Sequence, residues 1–266
     1  MLLPAGLSSR TQQLAAPKPA AAIEAEVLRK AAELTQNRQY ESAFVLLNRF
    51  DPQHRRPAVV LQQTELALNY YLRSRELEGF GFVDLKPLER LDSLRERYTR
   101  AAIRHPFAVE SILKKLLQRY PTNYKLNRAL ADYYYQAEQC ECAEAEKSPT
   151  RLYSLMVRHY TPAHTHGYGD FSSYYNLGYA HQSLRRFAES VPAFRRAITL
   201  RPSYAPAHFK LAYSYTVLKK LPLALQEARA AARYSDDPTA KSDATYLAEN
   251  LEKKIAQATK ANKKKK

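Results

Sequence analysis

Glycine is nearly missing from this 266-residue chain, which has six, while tryptophan is absent and methionine and cysteine occur twice each. So few glycines leave little material for the positive-φ turns of a sheet-rich fold, or for a glycine-rich phosphate loop. Gly79, Gly81, Gly167 and Gly169 fall in two breaks between helical segments, Gly6 lies near the start, and only Gly178 stands inside a strongly periodic stretch. The two cysteines, Cys140 and Cys142, cannot build a disulfide framework, so the expectation is free thiols in a reducing, cytoplasmic compartment. No apolar run nears the 18 or so residues of a membrane span. The apolar first residues are short, broken by Pro4 and without a basic flank, unlike a secretory leader. The phosphate-loop, zinc-protease and nucleophile-elbow motifs are missing too, which leaves no catalytic residue and no cofactor site to name.

What is present is ordinary hydrophobic content, 45%, and an excess of positive charge, +16. Basic residues are spread along the chain and densest at its end, at Lys260 and 263–266. Such a surface favours nucleic acid, acidic peptides or anionic lipid without choosing among them. A lysine run of this kind is ordinarily a solubilising or electrostatic tether.

A fixed period emerges in the C-terminal half. Tyr174, Leu177, Gly178 and His181 are followed by Phe187, Ser190, Phe194, Ala197 and Pro202; 34 residues on come His208, Leu211, Ala212 and Tyr215, then Leu221, Ala224, Ala228 and Ala231. Residues three and four apart share a helical face, so each half-unit is an amphipathic helix. The small residues let paired helices approach, the large ones fill between them, and Pro202 ends the second helix. The second copy has Asp236 where a proline is expected, and Pro238 two residues later.

This pattern resembles the tetratricopeptide repeat. The resemblance implies an all-α fold, a right-handed α-solenoid of antiparallel helix pairs. Upstream the copies degenerate. Leu130, Ala131 and Tyr134 repeat the first-helix signature, and Tyr40, Ala43 and Leu47 the second, with Val27, Ala31 and Leu34 on the helix before it. The organisation expected is an unstructured 1–22, a degenerate repeat region 23–122, a degenerate repeat with insertions 123–170, and two clear repeats 171–238. A capping helix follows at 239–258, with Ala244, Leu247, Ala248, Leu251 and Ile255 on one face, then an unstructured basic tail 259–266. Segments 57–77, 86–104 and 106–119 read as helices, with no sheet anywhere, and Phe80 and Phe82 plug a gap between helical hairpins. The partner helix at about 149–160 arrives late, and 161–170 reads as an extended loop.

Two constellations carry potential chemistry. Cys140, Cys142, His159, His164 and His166 are zinc-type ligands, but a helix of roughly twelve residues, about 18 Å long, separates them, so no metal site is expected. The other is the concave face, which the family builds from the first helix of each repeat. By that resemblance Lys125, Arg128, Tyr175, Asn176, Tyr179, Phe209, Lys210 and Tyr213 line a peptide groove, joined by Asp132 and Tyr135. Arg128, Asn176 and Lys210 also match three positions of the family's carboxylate clamp, while Asp132 and Pro206 break it. Tyrosines offer flat contact area and cations pair with carboxylates, so the expected partner is a protein or peptide of acidic character, held by a non-enzymatic adaptor or scaffold. The alternative is a nucleic-acid- or ribosome-associated helical-repeat protein, with tyrosines stacking on bases.

Overall fold

The structure, a computed structural model, describes residues 19–98, 100, 102–140 and 148–263. In chain order its elements are α1 (Ala20–Gln36), α2 (Tyr40–Phe50), α3 (Pro57–Asn69), β1 (Arg73–Arg75), β2 (Gly79–Gly81), α4 (Leu91–Arg97), β3 (His105–Pro106) and α5 (Val109–Arg119). Then come α6 (Tyr124–Gln139), α7 (Pro149–Thr165), α8 (Phe171–Ser183), α9 (Phe187–Leu200), α10 (Ala205–Val217), α11 (Leu221–Tyr234) and α12 (Pro238–Lys263). Helices pair with their sequence neighbours, α1 with α2, α6 with α7, α8 with α9 and α10 with α11, and α12 closes the stack against α11. This is an α-solenoid of antiparallel helix pairs. Helix α3 touches α5 across an insertion and also packs on α6.

One turn recurs along the stack. After α8, Leu184, Arg185 and Arg186 donate their amides to the carbonyls of Ala180, Gln182 and His181, and the same three bonds recur after α1, α7 and α10. The middle residue is left-handed each time, with φ 63° at Arg38, 82° at Gly167, 60° at Arg185 and 59° at Lys219. Such a turn satisfies the last carbonyls of the helix and aims the chain back along it.

Small residues set how closely the helices approach. A Cβ on Gly178 would stand 2.7 Å from two ring carbons of Phe194, so α8 and α9 are in contact through the missing side chain. Buried apolar residues form two clusters. One runs from Ala31 to Ala180 and the other from Phe194 to Leu251. Helix α8 belongs to both, packing Leu177 and Tyr179 on the first and Tyr175 on the second.

Helices α3 and α4 fall within the segments 57–77 and 86–104 expected to be helical, but the rest of the insertion between α3 and α5 departs from that expectation. The insertion holds α4 and a three-stranded antiparallel sheet ordered β1-β2-β3. Phe80 lies opposite Ser74 and His105, and Phe82 stacks on Phe44 of α2 at 4.7 Å. A Cβ on Gly81 would collide with the Ala102 carbonyl, so the strand needs glycine where 102–103 crosses it. The two phenylalanines are buried as plugs, as the sequence suggests, but from a sheet. Strands of two or three residues are too short to show alternation, which is why the pattern reads otherwise.

Three helix ends also depart from expectation. Helix α1 starts at Ala20, inside the segment expected to be unstructured, whose first 18 residues lie outside the described ones. Helix α7 runs 17 residues to Thr165, absorbing half of the expected loop, with Pro162 in its last turn where only the Arg158 carbonyl loses a donor. Helix α12 continues to Lys263 into the expected tail, where Ala, Gln and Lys without glycine or proline favour a helix. Among the described residues no helix is long and apolar enough to cross a membrane.

Candidate binding groove

The first helices of successive pairs, α1, α3, α6, α8 and α10, lie side by side, and concavities open between them. One sits between α1 and α3, a second of about 610 Å³ between α3, α6 and α8, and a third of about 440 Å³ between α8, α10 and the α11–α12 turn. The groove expected from sequence divides among them. Lys125, Arg128, Asp132, Tyr135 and Asn176 line the second; Tyr175, Phe209, Lys210 and Pro206 line the third. Tyr179 stands between, its hydroxyl donating to Glu138 at 3.0 Å. Tyr213 lines neither, standing 47% exposed with its ring 6.0 Å from Phe187.

Two expected contact residues turn out to be committed inside the fold. Arg128 donates to Asp132 at 2.8 Å, to Asp170 at 3.0 Å and to the Tyr168 carbonyl at 3.3 Å. Burial alone would lower its pKa, but Asp132 and Asp170 outweigh burial and raise it. Asn176 is buried and donates to the Tyr160 hydroxyl at 3.0 Å, which in turn donates to Asp132 at 2.7 Å. Asp132, Tyr160 and Asn176 thus link α6, α7 and α8. Burial raises the Asp132 carboxyl despite Arg128. Asp170 caps α8 through the Ser173 amide at 2.9 Å, and against the upward push of burial that bond and Arg128 hold its carboxyl low. With its guanidinium saturated, Arg128 offers no free cation, so the clamp arrangement is incomplete here.

Lys210 is different. Its ammonium lies over the Tyr179 ring at 5.4 Å, and burial lowers its pKa. No Asp or Glu among the described residues reaches it. Around it tyrosines converge. Burial pushes Tyr135 up to about 12, and the hydroxyls of Tyr204 and Tyr179 add to that; Tyr175 is raised by burial and by Tyr135, Tyr204 and Tyr179. The Tyr135 and Tyr179 rings meet edge to face at 6.1 Å. Tyr204, Asp236 and Asp243 join the third concavity without having been singled out from sequence. The only hint was that Asp236 stands where the repeat wants proline.

The cysteine and histidine cluster resolves into structural roles. His159 is buried and donates from Nδ1 to Asn127 Oδ1 at 3.0 Å; His164 Nε2 is hydrogen-bonded to Ser173 Oγ at 3.0 Å. Burial lowers both histidines to about 4, so they are neutral at neutral pH. His166 stacks on Tyr124 at 3.5 Å. Cys140 is disulfide-bonded, which corrects the expectation of free thiols, and Cys142 lies outside the described residues. Among the described residues no three such groups are placed to hold a metal.

The tetratricopeptide repeat model matches residues 171–204, the span of α8, α9 and the turn after them. No curated protein matches the chain. Among solved structures, a point mutant of MamA is 19% identical, covering 82% of this chain and 100% of its own, with a TM-score of 0.51. MamA of strain AMB-1 is likewise 19% identical, with 79% and 98% covered and a TM-score of 0.51. A tetratricopeptide protein of Thermus thermophilus is 14% identical, with 84% and 98% covered and a TM-score of 0.48. The two MamA likenesses reproduce the stacked hairpins, and the matching repeat supplies the sequence signature at their centre. The chain thus carries a tetratricopeptide repeat at residues 171–204, within a solenoid of the same fold.

Proposed function

We propose that the protein is a non-enzymatic interaction scaffold, holding an extended segment of a partner along the concave face of α6, α8 and α10. The observation that carries this reading is Lys210, a half-buried cation without a carboxylate partner among the described residues, set among tyrosines. A carboxylate arriving there forms a charge-assisted hydrogen bond in a partly dry site, while the rings supply flat apolar contact. Tyr175, Tyr179 and Phe209 are contact residues in this reading; Arg128 and Asn176 hold the wall behind them.

The test is a titration of the full chain with acidic peptides and with single-stranded RNA at two salt concentrations. Lys210→Ala weakens peptide binding by about 1–3 kcal/mol, and deleting 263–266 changes it little, because an exposed tail contributes a screened attraction. RNA binding that vanishes on tail deletion and falls steeply with salt, without peptide binding, would replace the scaffold by the nucleic-acid alternative.

A further inference from the structure

The third concavity is lined by charges of both signs, carried on different elements. Much of its lining is aromatic: the Tyr175 and Tyr204 rings meet edge to face at 5.3 Å, and Phe209 and Tyr234 add to it. On the α10 wall stands Lys210, and on the α11–α12 wall stand Asp236 and Asp243. Asp237, beside them, is already engaged, accepting from the Ala240 amide at 2.7 Å at the start of α12. Asp236 and Asp243 form no ion pair with any described residue. Arg201 also lines the cavity, yet its guanidinium lies over Phe171 at 4.8 Å and Tyr204 at 5.5 Å. In a chain of net charge +16, unpaired carboxylates beside an apolar cavity form a local inversion of the prevailing field.

We propose that this cavity reads the order of charge along the partner segment. A bulky apolar side chain fills it, an acidic residue on one side meets Lys210, and a basic residue on the other side meets Asp236 and Asp243. This rests on the groove reading above and sharpens it, since an evenly acidic peptide would satisfy Lys210 but be repelled at Asp236 and Asp243. The volume, about 440 Å³, falls in the range of ligand clefts, about 300–1,000 Å³, and suits one large side chain with its flanks. An extended chain advances about 3.3 Å per residue, so charges two residues from the anchor stand about 7 Å away from it on either side. Selectivity arises because the mismatched charge stands beside a like charge at the rim of the cavity.

The experiment uses the full chain and short fluorescent Gly/Ser peptides that carry one Phe. Two have Glu two residues to one side and Arg two residues to the other, in either order; a third has Glu on both sides; a fourth has Ala for Phe. One bipolar order should bind at least about tenfold more tightly than the Glu/Glu peptide, and the Ala peptide should lose most of that affinity. Asp236→Lys with Asp243→Lys should reverse the preference, and Asp236→Asn with Asp243→Asn should abolish it, with thermal melts confirming that both pairs stay folded. Equal binding of the bipolar and Glu/Glu peptides, or a preference that survives charge reversal, overturns the proposal. If Lys210→Ala then still weakens every peptide, the groove reading stands alone. No binding by any peptide overturns both.

Discussion

Replacing Gly178 by alanine opposes two effects of known size. Alanine is favoured over glycine inside a helix by about 1 kcal/mol, so on an open helix face the change would stabilise. Here the new methyl would meet two ring carbons of Phe194 at 2.7 Å and a third at 3.0 Å. Carbon atoms rest at about 3.5–4.0 Å, so the ring must retreat by close to 1 Å. Phe194 is fully buried, so its ring can retreat only by displacing its neighbours. Overpacking of this kind costs about 1–3 kcal/mol, which outweighs the gain and leaves a net loss of roughly 1 kcal/mol. Urea unfolding of the parent and Gly178→Ala proteins measures it. The decisive pair is made in a Phe194→Ala background, where the contacting Cγ, Cδ1 and Cε1 atoms are gone. There Gly178→Ala should stabilise by about 1 kcal/mol, so the same substitution changes sign with its neighbour. A gain in both backgrounds would refute the close approach of α8 and α9.

Lys219→Gly and Arg185→Gly should each stabilise by up to about 1 kcal/mol, because both residues sit at φ near 60°, where a Cβ is strained; calorimetric melting temperatures check this, and a drop would contradict the turn geometry. Tyr160→Phe strands the Asp132 acceptor and the Asn176 donor, and should cost about 2–3 kcal/mol in denaturant titration. Stability should fall as pH drops from 6.5 towards 4, because His159 and His164 are held to about 4 by burial and the unfolded chain binds their protons first. His159 alone contributes about 3 kcal/mol across that window, and His159→Gln should flatten the profile measured by urea midpoints. His208 acts oppositely. Burial would lower it, but its bonds to Glu227 and the Pro202 carbonyl raise it, so its contribution is complete below 6.5 and lost as pH climbs through its folded pKa.

The helices that pair by close packing were readable in advance, because spacing of three and four and small residues such as Gly178 and Ala212 record that packing directly. The insertion was not. Its strands are held by aromatic contacts to Phe44, about forty residues away, and local periodicity carries no trace of so distant a partner. The groove was half legible. Repeat register put Lys210 and Tyr175 on the concave face, but register cannot say which polar side chains are already spent. Arg128 and Asn176 hold wall positions and are consumed by Asp170 and Tyr160, residues from neighbouring helices. Asp236 fills the position where the motif expects proline, and Asp243 lies beyond the repeat, on α12, where the motif makes no statement.

The division of the apolar interior at α8 has a consequence for cooperativity. With one cluster ending at Ala180 and the next starting at Phe194, the two halves are coupled mainly through the two faces of a single helix. Nearest-neighbour coupling of that kind lets the C-terminal hairpins melt while the N-terminal ones persist, giving hydrogen-exchange protection that steps down after α8. A segment lying across both concavities would bridge the step. It would raise protection in α10 and α12 towards that of α6, so that occupancy is felt as a change in how much of the solenoid opens together.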